Sequence, residues 1–212
     1  MALPNAKYKI IEHYDVVSPY YYKLWGERLH HGYWIRGDES KEQAQRQLIE
    51  HLARLAKILQ GAAVLGVGCG FGASSLYLCK QFDATTHRHH YLPQLQVELA
   101  NTAAAKERAD ARFCLMDARA MTFEEPFDVP WSVESVSHYH DREKFFASAA
   151  NLLKPGGLFC THGLVQETKS LARKSGNIFS QSNRGCLFDL GRSATTRNFC
   201  VRMEWESCVA RN

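Results

Sequence analysis

Residues 62–80 read AAVLGVGCGFGASSLYLCK. The apolar run 62–67, broken only by Gly66, has the composition of a strand buried on both faces. Residues 68–72 form a glycine-rich turn. Residues 73–80 read as a helix with Leu76 and Cys79 on one side. Strand, glycine turn and helix in that order open a nucleotide-type α/β unit. Glycines in such a turn let the backbone bend sharply and pass close to a ligand. The turn lacks the G-x-x-G spacing of the dinucleotide form, and no acidic residue follows about 20 positions on.

The alternation continues on both sides of this stretch. Upstream, Ser40 can cap a helix with Gln43 as its capping-box partner, and Leu48, Leu52, Leu55 and Leu59 form an apolar stripe that Gly61 ends. Downstream, QVELANTAAAKERA is helical, and ARFCLMDA is a strand running to Asp117. FDVPWSVES is a strand that ends near Ser132 and Glu134. DREKFFASAANLL is a helix with Phe145, Phe146, Ala149 and Leu153 at helical spacing; KPGG turns the chain and LFC starts a further strand. This order predicts a Rossmann-like α/β fold, with a mostly parallel central sheet, right-handed crossovers and helices on both faces. Ligands of such sheets bind beyond the carboxyl ends of the strands. Residues 68–72, Asp117 and residues 132–138 fall there. The first 40 residues, including YDVVSPYYYKLWGERLHHGYW, read as aromatic and irregular.

Composition bounds the rest. A chain of 212 residues is long enough for one domain with a real core, and 45% apolar and 23% charged residues are ordinary for a globular protein. A net charge of +4 permits anionic small molecules, but no basic stripe marks a nucleic-acid partner. No apolar run of membrane-spanning length exists, and the N-terminus lacks the apolar core of a signal peptide. The seven cysteines contain no C-x-x-C pair, which fits reduced thiols in a cytoplasmic compartment.

The words VLGVGCGFG, then MDA, then LLKPGG, in this order and spacing, resemble the class I S-adenosylmethionine-dependent methyltransferases over residues 10–160. LWGERLHHGYW resembles a narrower, small-molecule branch: the tocopherol, sarcosine/dimethylglycine and cyclopropane-fatty-acid-synthase-like enzymes. The resemblance implies a single methyltransferase domain with an N-terminal helical cap (1–40), a cofactor-binding core (41–160) and a C-terminal segment (161–212). It implies that Gly68, Cys69, Gly70 and Gly72 wrap the methionine end of S-adenosylmethionine. Asp117 and Ala118 would face the adenine, with Met116 packed on it, and Ser132 would lie beside the methionine. Glu134 and His138 would point at a small-molecule methyl acceptor, with His138 the candidate base. Tyr14, His31, Tyr33 and Trp34 would close the cap over cofactor and substrate. No metal is implied.

The chain departs from this family in several places. Gly66 stands where the family carries an acidic residue toward the cofactor's ammonium group. Pro130 lies inside the fourth strand, where it removes a ladder donor. Residues 87–93, HRHHYLP, have the wrong chemistry for a central strand where the branch reads TGITISP. Back-translated with only wobble positions free and read one base later, HRHHYLP becomes TGITISP, the mark of a reading-frame slip. Residues 160–167 and 174–188 behave likewise, so residues 161–212 are expected not to form the normal end of the sheet. An inactive remnant of the fold is one alternative. A nucleic-acid methyltransferase is another, opposed by the lack of a basic stripe. A histidine-cluster metal protein is a third; His87, His89 and His90 have no i,i+4 pair and no cysteine or acid at ligand spacing.

Overall fold

The computed structural model describes residues 5–90, 94–139, 141–164 and 196–202. Its centre is a sheet of order β3-β2-β1-β4-β5-β6, built from β1 (Ala63–Val67), β2 (Thr85–His90), β3 (Ala111–Leu115), β4 (Val129–Val133), β5 (Leu158–Leu164) and β6 (Thr196–Arg202). The first five strands run parallel and β6 pairs antiparallel with β5. The helices are α1 (Asn5–Trp25), α2 (Lys41–Leu55), α3 (Ala73–Phe82), α4 (Gln94–Glu107) and α5 (Arg142–Asn151).

The parallel strands are covered on both faces, as their apolar composition requires. Val64, Val129, Trp131 and Cys160 pack with Leu48, Ile49 and Leu52 of α2 and Leu78 of α3. Leu65, Val67 and Phe159 pack on the other face with Phe145 and Ala149 of α5. Val64 and Leu65 thus point to opposite faces of β1, as period two dictates. A smaller cluster joins Leu76 of α3, Ala100 and Ala104 of α4 and Phe113 of β3.

Helix α2 begins where its cap predicts: the Ser40 hydroxyl accepts from the Gln43 backbone N–H. Ser40→Ala is expected to lower stability by about 1 kcal/mol, read as a shifted urea midpoint with an unchanged slope. The helix ends earlier than its leucine stripe suggests. Lys57 turns left-handed (φ 51°), and Leu59 is 73% exposed beyond the helix rather than part of its buried face.

Three expectations are corrected. The N-terminal aromatic stretch is not irregular: residues 5–25 form α1, with Pro19 inside it. Residues 87–90 do form a central strand, paired in register with β1 on one side and β3 on the other. Ladder hydrogen bonds come from the backbone, so two flanking strands can hold a sequence of poor strand propensity. Residues 91–93 lie outside the described residues. The boundary expected after residue 160 falls inside β5, and residues 161–164 and 196–202 supply an antiparallel pair at the sheet edge. Residues 165–195 and 203–212 lie outside the described residues. Pro130 sits in the middle of β4 opposite Leu65, fully inside the sheet. Among the described residues no helix is long and apolar enough to cross a membrane.

Candidate active site

The glycine turn after β1 is the floor of the site. Gly68, Gly70 and Gly72 all take left-handed backbone angles (φ 70°, 54° and 83°), and Gly72 caps α3. Such angles disfavour any side chain. The reasons for the glycines differ. A Cβ on Gly68 would stand 2.3 Å from Ser135 Cβ, and one on Gly72 would stand 2.6 Å from the Phe113 ring. A Cβ on Gly70 would meet only the tip of Leu29, at 3.3 Å. Cys69 is half-buried between them.

The end of β4 is tied to this turn. Ser132 and Ser135 hydroxyls lie 2.6 Å apart, Ser135 donates to the Val67 carbonyl at 3.0 Å, and the Tyr139 hydroxyl donates to Ser135 at 3.2 Å. Ser132 is fully buried and serves this network.

Beyond Val133 the backbone turns left-handed at Glu134 (φ 55°). A non-glycine residue held there marks a site where surrounding contacts outweigh the local preference. Three elements meet at Glu134. Its N–H donates to the His162 carbonyl of β5 at 2.7 Å. Its carboxylate accepts from the His31 N–H at 3.1 Å and from His31 Nδ1 at 2.7 Å. His162 Nδ1 faces the other oxygen at 3.4 Å, beyond hydrogen-bond length. His162 is almost wholly buried, and that burial, against the opposing pull of Glu134, pushes its imidazole down to about 4. His30 is also buried, and burial lowers its pKa, so it is neutral. Its Nδ1 donates to the His31 carbonyl at 2.7 Å, which leaves Nε2 to accept from the Ser74 hydroxyl at 2.9 Å. This bond joins the N-terminal segment to the first turn of α3.

His138 ends a 3-10 turn, Val136–His138, just past Glu134. Its Nε2 lies 3.2 Å from the Tyr14 hydroxyl of α1, and the two rings meet edge to face. Burial raises the Tyr14 pKa, so the phenol keeps its proton. The cap therefore does reach the strand ends, through Tyr14 and His31. Tyr33 and Trp34 behave differently. Tyr33 stacks on His51 of α2 at 4.8 Å, and the Trp34 ring lies beside Gly32; both are substantially exposed.

At the end of β3, Met116 and Asp117 are half-buried, while Ala118 is wholly buried in the α5-side core. The Asp117 carboxylate is engaged by Arg119, through its backbone N–H and Nε at 3.0 Å and Nη2 at 2.7 Å.

Sequence reading missed His162, His30 and Gln96. Gln96, near the start of α4, is fully buried; its amide donates to Ser18 of α1 at 2.8 Å and its oxygen has no partner among the described residues. A polar residue in an alanine-rich helix was the one available signal.

The profile of the mycolic acid cyclopropane synthetase family matches residues 3–198. The 27-O-demethylrifamycin SV methyltransferase of Amycolatopsis mediterranei is 35% identical over 147 residues, 68% of this chain and 54% of that protein. The chloroplastic tocopherol O-methyltransferase of Arabidopsis thaliana is 32% identical over 163 residues, 70% of this chain and 47% of that protein. The chain thus spans about half the length of these curated relatives. Among solved structures, the [4+2]-cyclase SpnF superimposes with a TM-score of 0.73 at 25% identity, over 79% of this chain and 63% of that one.

Proposed function

Since the chain belongs to the mycolic acid cyclopropane synthetase family, we propose that it transfers a methyl group from S-adenosylmethionine to a small-molecule acceptor. The observation that carries this reading is the arrangement at the strand ends. A left-handed glycine turn lies against the β4 loop at Ser135, and the N-terminal segment meets that loop through His31 on Glu134 and Tyr14 on His138. The residues present fit the cofactor. At Gly70 only the flexible tip of Leu29 stands over the turn, and among the described residues the buried Gln96 oxygen of α4 is an acceptor without a partner.

In this reading Gly68, Cys69, Gly70 and Gly72 hold the methionine end, with Ser132 fixing the turn from beneath. Met116 and Asp117 hold the adenine, and Ala118 supports them from the core. Tyr14 closes the cap over the cofactor. His31, Glu134 and His138 border the acceptor, and Tyr33 and Trp34 form its outer approach. When bound, the cofactor supplies an electrophilic sulfonium methyl. The protein's work is to position the acceptor, exclude water and remove a proton where the acceptor carries one.

Gly66 tests the reading. It lies in β1 without the carboxylate that the family carries there. A charge-assisted hydrogen bond is worth roughly 1.5–3 kcal/mol, so Gly66→Asp is expected to tighten S-adenosylmethionine binding about 10- to 100-fold. Calorimetric titration measures it. Binding in neither form would favour an inactive remnant of the fold and overturn the proposal.

A further inference from the structure

Glu134 and His138 are the obvious candidates for the proton acceptor, but both are occupied. The Glu134 carboxylate is gripped by the His31 backbone and ring. His138 Nε2 is on the Tyr14 hydroxyl. Of the histidines around Glu134, His30 is buried with both ring nitrogens bonded, and His162 is buried in β5. His31 differs from both. Its side chain is 50% exposed, its Nδ1 is fixed on the carboxylate, and its Nε2 has no partner among the described residues. The Trp25 ring flanks it edge-on at 6.4 Å. A carboxylate accepts only, so Nδ1 carries a proton, and in the neutral imidazole Nε2 is then the bare nitrogen.

We propose that His31 is the general base of this site and Glu134 its positioning residue, and that the acceptor it serves is a hydroxyl. This rests on the methyl-transfer reading above. His31 Nε2 takes the hydroxyl proton. The oxygen's electron pair forms the new bond to the methyl carbon, and the pair of the broken carbon–sulfur bond stays on sulfur. The imidazolium so formed is neutralised through Nδ1–H by Glu134, and its exposure lets the proton pass to water. A base held by a carboxylate at one nitrogen and working through the other is the arrangement that activates hydroxyls on unrelated folds. The two β4-loop contacts to the His31 backbone fix where the ring stands as well as which tautomer it adopts.

The first test reads the histidine itself. Nitrogen-15 NMR of the histidine-labelled full chain, with and without S-adenosylhomocysteine, is expected to show His31 protonated at Nδ1 and bare at Nε2. Glu134→Asn, whose side chain tolerates the left-handed backbone but is too short to hold the ring, is expected to shift His31 toward the opposite tautomer. A wild-type His31 protonated at Nε2, or a tautomer that Glu134→Asn leaves unmoved, would overturn the assignment. Calorimetry on the same samples separates this from failure of the cofactor reading, which shows instead as absent S-adenosylhomocysteine binding.

The second test uses phenols as probe acceptors. His31→Gln is expected to slow methyl transfer to 4-methylphenol about 100-fold or more. It should slow transfer to 4-nitrophenol, already an anion near neutral pH, far less. Equal losses on both phenols would mean a structural role and sink the proposal.

Discussion

Gly68→Ala is expected to destabilise the chain by about 3 kcal/mol or more and to abolish S-adenosylmethionine binding. Two costs add. Alanine in the left-handed region is penalised by roughly 1–2 kcal/mol. Its Cβ would also stand 2.3 Å from Ser135 Cβ and 2.7 Å from the Tyr139 hydroxyl. Neither atom can step aside cheaply. Ser135 is hydrogen-bonded to Ser132, Tyr139 and the Val67 carbonyl, so moving it breaks the network that joins the ends of β1 and β4. Overpacking of this kind costs about 1–3 kcal/mol. Gly70→Ala is the internal control, since its Cβ meets only the flexible tip of Leu29. It should carry the backbone cost alone, about 1–2 kcal/mol. Urea midpoints and calorimetric titration of both variants check this. A Gly68→Ala chain with the wild-type midpoint would show that the turn does not have the packing described.

The second large effect is acid sensitivity. His162 titrates near 6.5 in an unfolded chain but at about 4 in the fold, because burial excludes its charged form. Between those values the unfolded chain binds a proton that the native chain refuses, so stability falls as pH falls from 6.5 to 4. At about 1.36 kcal/mol per unit, His162 alone removes roughly 2 kcal/mol between pH 6.5 and 5 and about 3 kcal/mol by pH 4. His30, buried and shifted in the same direction, adds to the loss. The carboxylates act lower. Glu39, held at about 2 by the backbone N–H groups of residues 35–37, contributes stability that is lost only as pH drops below the ordinary glutamate range. Urea unfolding at pH 7.5 and pH 5 isolates the histidine window. His162→Gln should recover roughly 2 kcal/mol of the loss across it. A wild-type curve that is flat over this interval would contradict the buried, neutral His162.

The parts of the fold that follow a local rule were legible. The β1–turn–α3 unit, the Ser40 cap and the ends of β3 and β4 lie where composition and spacing put them. Helix α1 was legible only through the resemblance, which implied a helical cap; residue pattern missed it because its stability is tertiary. Tyr20, Tyr21 and Leu24 are exposed, so no apolar stripe shows, while Ser18, Tyr14 and Tyr22 hold it to Gln96, His138 and Phe71. β2 was misread because side-chain propensity says little about a strand clamped between two neighbours. At the site, the glycine turn announces itself, and Glu134 follows from its place after β4. The partnership of Glu134 with His31 does not, since 103 residues separate them and nothing local links the two. His162 read as one more residue after an unremarkable LFC.

The three glycines of the turn carry different kinds of information. Gly68 and Gly72 are required by the protein's own atoms, Ser135 above one and Phe113 beside the other. A descendant that had lost all chemistry would still need both in order to fold. Gly70 is under no such internal demand beyond its backbone angle. Among descendants of this chain, a surviving 68 and 72 report only that the scaffold persists. The residue at 70 answers to its backbone angle alone, since nothing stands over it but the flexible tip of Leu29.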